Sequence, residues 1–114
     1  GLLEALMQLH AGADAVLLVG YDTGAIGPLR SVHDCSGLLG GALVLSRNGT
    51  GPRITVVLAD GDATADAPGA LGRHAGSNPM VPMLPLFDAL ACNATHATLI
   101  AGPGRTMSVE IAHD

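Results

Sequence analysis

The sequence has no tryptophan, one tyrosine (Tyr21) and one phenylalanine (Phe87). A core built without large rings must come from many small and aliphatic side chains. Ala, Leu and Val supply most of the 48% apolar content of the 114 residues. Small apolar residues let elements approach closely, as buried parallel sheets and their covering helices do. Lysine is also absent. All five basic residues are arginines, Arg30, Arg47, Arg53, Arg73 and Arg105, against ten acidic ones, for a net charge of −5. Scattered arginines form no basic patch, which argues against nucleic acid as a partner. No apolar run approaches the length of a membrane span. Neither a charged n-region with an h-region nor a small-residue cleavage site is visible, and the expectation is a cytoplasmic chain. Cysteine is limited to Cys35 and Cys92, far apart and in unlike settings. Free thiols suit that pattern better than a disulfide. The triplets Asn48-Gly49-Thr50 and Asn93-Ala94-Thr95 match the glycosylation acceptor; so short a pattern recurs by chance and is discounted without an export signal.

The length suits one domain at most, and no internal repeat or boundary appears. Leu2, Leu3, Leu6, Met7 and Leu9 predict an amphipathic helix with Glu4 and Gln8 opposite. His10 falls in its last turn, where the helix dipole favours a cation, and Gly12 can close it. His10 therefore reads as a surface histidine. Val16 to Val19 is a continuous apolar run before Gly20, which predicts a strand buried on both faces. Residues 21–35 read as loop, with Asp22, Gly24, Gly27 and Pro28 as breakers. "LLGGALVLS" (Leu38 to Ser46) predicts a second buried strand, its paired glycines a bulge or a close approach of another backbone. "RNGTGP" is a turn, and Ile54 to Ala59 a third strand. Residues 60–79, rich in Gly, Ala and Asp, read as a long mobile surface loop. Pro82 and Pro85 preclude one regular helix over Met80 to Cys92, but Pro85 fits the first turn of a short helix ending near Cys92. Thr98 to Ala101 and Thr106 to Ala112 flank "GPGR" and predict a β-hairpin, its second strand alternating Met107, Val109 and Ile111 with Ser108 and Glu110.

The glycine-rich stretch "GYDTGAIG" follows a strand, where a phosphate loop would lie. A P-loop requires Gly-Lys-Ser/Thr, and there is no lysine. A dinucleotide loop requires G-x-G-x-x-G opening into a helix; Gly20, Gly24 and Gly27 are spaced differently, and Pro28 opens no amphipathic helix. A nucleotide site is not expected. His33, His74, His96 and His113 form no pair at helix-ligand spacing, so neither is a zinc site. His33-Asp34-Cys35 is the one local acid–base cluster, and adjacent loop residues seldom face each other. It reads as solvated turn chemistry.

"LLEALMQLHAGADAVLLVG" resembles the segment after the nucleophile in β-ketoacyl synthases and other thiolase-fold enzymes. "GLLGGALVLSR" resembles the family's next strand, and "RITVVLADGD" the segment after it. "NPMVPMLPLFDALA" and "MSVEIAHD" resemble more specifically the stand-alone β-ketoacyl synthase-like proteins that have only the N-terminal half of the fold, found with aryl polyene and related acyl-chain pathways. The order of segments, over nearly the whole chain, carries the resemblance. It implies an α/β fold, part of a thiolase-like half, with residues 1–114 a single fragment of such a domain. It implies a nucleophilic cysteine at a helix N-terminus about six residues before Gly1, where a thiolate is favoured, and active-site histidines in a second half. Neither Cys35 nor Cys92 matches the nucleophile position, so no catalytic, cofactor-binding or metal residue is expected in this chain. No cofactor is implied.

The expectation is a component of acyl-chain biosynthesis that is non-catalytic as it stands. The family's first strand here would pair with an earlier one, so the partner would be the missing N-terminal portion or a ketosynthase-like chain, with acyl carrier protein a further candidate. The alternative from the residues alone is a small α/β binding or assembly module without acyl chemistry.

Overall fold

The structure, a computed structural model, describes residues 1–24, 26–32, 37–62 and 67–113. The His33-Asp34-Cys35 cluster lies outside the described residues. Helix α1 (Leu2–His10) leads into strand β1 (Ala15–Asp22), a 3₁₀ turn (Gly27–Ser31), β2 (Leu39–Ser46) and β3 (Arg53–Asp60). Helix α2 (Ala70–Ala75), a 3₁₀ turn (Val81–Met83) and helix α3 (Leu84–Ala91) precede β4 (His96–Gly102) and β5 (Arg105–Ala112). The fold is mixed α/β. All pairings among the described residues are antiparallel, in two sheets: β1-β2, and β3-β5-β4 with β5 central. The parallel-sheet expectation drawn from small apolar residues fails here, because short approach distances serve helix-on-ribbon packing equally well.

In α1 the inward positions are Leu2, Ala5, Leu6 and Leu9, at the i, i+3, i+4, i+7 spacing of one helix face. Leu3 and Met7, expected in the stripe, are exposed; Ala5, absent from that stripe, takes the buried position. Gly12 turns the chain at φ +120° while Ala13 N–H donates to Gln8 O at 3.1 Å. That conformation strains a side-chain-bearing residue, which is why glycine stands there.

Strand β1 is not buried on both faces. Val16, Leu18 and Gly20 face inward, whereas Leu17, Val19 and Tyr21 are exposed. β2 alternates in the same way and pairs with β1 over eight residues in unbroken register, from Ala15↔Ser46 to Asp22↔Leu39. The Gly40-Gly41 pair therefore makes no bulge. What approaches is a side chain rather than a backbone: a Cβ on Gly41 would lie 2.8 Å from Phe87 Cζ and 3.2 Å from Met83 Cε. Gly20, directly opposite, makes room for the methyl of Met80, 2.5 Å from where its Cβ would be. A Gly20–Gly41 trough thus seats the segment leading into α3.

The two glycines differ in what a methyl group would displace. Met80 Cε is the end of a flexible chain, whereas the Phe87 ring is stiff. Gly41→Ala is expected to lower stability by about 1–3 kcal/mol through overpacking. Gly20→Ala should stay within about 1 kcal/mol of the parent, because the Met80 thioether can swing aside and alanine restricts the unfolded chain. Urea unfolding of the two variants checks this contrast.

The core of the second sheet is its inner face, rows Ile54–Ile111, Val56–Val109–Ala97 and Met107–Leu99, covered by Leu86 and Ala89 of α3; Leu58, opposite Met107, is exposed near the end of β3. Val109 is fully buried at the centre. Alternation along β5 and the β4–β5 hairpin match the sequence expectation, as does α3 beginning beside Pro85. Two loops hold more structure than expected. Residues 21–35 contribute the end of β1 and the Pro28-initiated 3₁₀ turn. Residues 60–79 include α2, and Asn78 is buried.

Candidate functional site

Between α1, the inner face of β1-β2 and the α3 segment lies a cavity of about 190 Å³. Gly1 and Leu2 line it at the start of α1, and Leu18, Val19, Gly20, Gly41 and Leu43 from the ribbon. Met80, Met83, Leu86 and Phe87 close the far side, with Leu99 of β4 beside them. No lining side chain carries a charge, and the Gly1 ammonium lies 3.8 Å from the Glu4 carboxylate. Apolar cavities of comparable size, about 150 Å³, stay dry and take up benzene-sized guests. The space therefore suits a short alkyl segment or a single ring.

The sequence builds this cavity from unlike parts. Paired glycines keep the floor low. Pro82 and Pro85 enforce a 3₁₀ turn running directly into α3, so that Met83 and Phe87, four residues apart, present to the same side. Asn78 anchors the approach. Its side-chain amide donates to Asp22 O at 3.4 Å and Gly37 O at 3.5 Å, and its Oδ1 accepts from Met80 N–H at 2.9 Å. One buried side chain thus ties the end of β1 and the start of β2 to the residue that fills the Gly20 trough.

The polar residues singled out in the sequence lie elsewhere. His10 is exposed at the end of α1, and His74 in the last turn of α2. Cys92 is an exposed free thiol just beyond α3, its N–H donating to Asp88 O at 2.9 Å. His113 Nε2 donates to Ala94 O at 2.7 Å and holds the end of β5 to the α3–β4 turn. His96 Nε2 and Ser108 Oγ share a 2.9 Å hydrogen bond on the outer face of the second sheet, with Glu110 opposite His96 in register. This pair was not legible in the sequence, because only the β4–β5 register brings the two together. It sits on the exposed outer face of the sheet, where His96 and Glu110 share a shallow depression with Arg53 and Thr55 of β3. Among the described residues, no three His, Cys, Asp or Glu side chains gather as a metal site requires. No helix among them is long and apolar enough to cross a membrane.

No family model, no curated protein and no solved structure matches this chain.

Proposed function

We propose that this chain is a component of a β-ketoacyl synthase-like protein acting in fatty-acid or polyketide-type acyl-chain biosynthesis, with aryl polyene pathways the specific expectation. The finer fold in this reading is part of a thiolase-like half. The single observation that supports it is the cavity lined by apolar side chains at the N-terminal end of α1, the end at which the resembled family carries its acyl group. As it stands the chain holds an acyl segment rather than reacting with it, since neither cysteine of the sequence corresponds to the family's nucleophile. The same reading assigns the β1 edge opposite β2, which no strand pairs among the described residues, to an upstream portion or a ketosynthase-like partner. Acyl carrier protein would deliver the thioester.

The test uses the four methionines as reporters. With ¹³C-methyl methionine in the protein, titration with octanoyl-pantetheine is expected to shift Met80 and Met83, which line the cavity, and to leave exposed Met7 unmoved. No shift up to about 5 mM, a binding free energy weaker than about −3 kcal/mol, overturns the acyl reading. Equal shifts with octanol and with the thioester favour the alternative, an apolar binding module without acyl chemistry.

A further inference from the structure

The outer face of the β1-β2 ribbon carries no charge. Leu17 is 66% exposed, Val19 56%, Tyr21 72% and Val44 74%. The register arranges these side chains in steps. Across the ribbon, Leu17 faces Val44, Val19 faces Ala42, and Tyr21 faces Gly40. The β1 side runs from Leu through Val to the large Tyr ring while the β2 side falls from Val to Ala to Gly. Tyr21 keeps most of its surface exposed, so its ring does not fill the low ground over Gly40 within its own chain.

We infer that this face docks on a second copy of itself. A two-fold axis parallel to the strands lays β1 of each copy over β2 of the other and keeps the rows in step. Tyr21 of one copy then covers Gly40 of its mate, Val19 covers Ala42, and Leu17 meets Val44. The charges at the ribbon's end follow the same rotation. Asp14 precedes β1 and Arg47 follows β2, paired at 3.8 Å within one chain; in the dimer each Asp14 lies over its mate's Arg47. Two ribbons stacked at the usual spacing of about 10 Å form a small sandwich. Each copy contributes roughly 500 Å², so the pair buries about 1,000 Å², the floor for a specific interface. Area alone does not set affinity, but an interface at that floor is expected to be weak and reversible.

Sedimentation velocity of the full chain from about 1 to about 300 μM is expected to pass from monomer to dimer across that range. Val44→Lys should remain monomeric throughout, with an unchanged circular dichroism spectrum and melting curve. Geometry is tested by a charge swap at the Leu17–Val44 contact. A Leu17→Asp chain and a Val44→Lys chain should each stay monomeric alone and form a heterodimer when mixed, because the introduced Asp then lies over the mate's Lys. A monomer at the highest concentration, no heterodimer from the mixed variants, or Val44→Lys dimerising like the parent overturns the proposal. So does protection of Leu17 and Val44 only on addition of a ketosynthase-like protein.

Discussion

Val109→Asp is expected to leave the chain unfolded at room temperature. Val109 is fully buried in the central strand of the second sheet, between Val56 and Ala97 and within the cluster that α3 covers. A carboxylate there meets no cation and no donor, since the neighbouring side chains are aliphatic and the strand N–H groups are used by the ladders. The group must either carry charge in an apolar site or take up a proton, and each costs several kcal/mol. A domain of this size holds about 5–15 kcal/mol in total, and a loss above about 4 kcal/mol is at the extreme for one substitution. The next residue gives the control. Glu110 points to the opposite, exposed face, and Glu110→Ala should stay within about 0.5 kcal/mol of the parent. Far-ultraviolet circular dichroism and thermal melting distinguish the two outcomes; a folded Val109→Asp protein would mean that this face of β5 is not the core.

Phe87→Ala should cost about 2–3 kcal/mol, below the range for a fully buried phenylalanine because Phe87 is half-buried. The expected fall in melting temperature is about 10–20 °C. Phe87 stacks above Gly41 and lines the cavity, so its removal enlarges a space already able to take a small apolar guest. Benzene or a hexyl compound should therefore recover part of the loss by binding the folded state alone, and raise the melting temperature of the variant more than that of the parent. A variant that melts lower but does not respond to any apolar guest would show that the site collapses, and would remove the cavity as a binding space.

Much of the second sheet was legible because its signals are local. The alternation of Met107, Val109 and Ile111 sets the face of β5, and Pro103-Gly104 sets the hairpin. Pro85 placed α3 for a comparable reason: its missing N–H and fixed φ act within one turn. The ribbon was harder. Val16 to Val19 is apolar at every position, so periodicity does not say which residues face water, and only the pairing with β2 divides them. In α1 two adjacent leucines offered two helix faces, and packing chose the one containing Ala5. The cavity could not be read along the chain, because Gly20, Gly41, Met83 and Phe87 are contiguous only in space. A weak signal did exist, in the coincidence of mid-strand glycines with a Met- and Phe-bearing segment in a chain poor in large side chains. Asn78 stood in a stretch read as surface loop, where an Asn-Pro pair normally marks a turn; its burial goes with contacts to two carbonyls, 56 and 41 residues earlier in the chain.

The order of strands in the second sheet has a consequence for biosynthesis. β3 and β4 each pair with β5 and not with one another. During translation, neither can join a ladder until residues 105–112 have left the ribosome. At about 5–20 residues per second, β3 waits for seconds as a solitary apolar segment, open to capture by a chaperone or by another nascent chain.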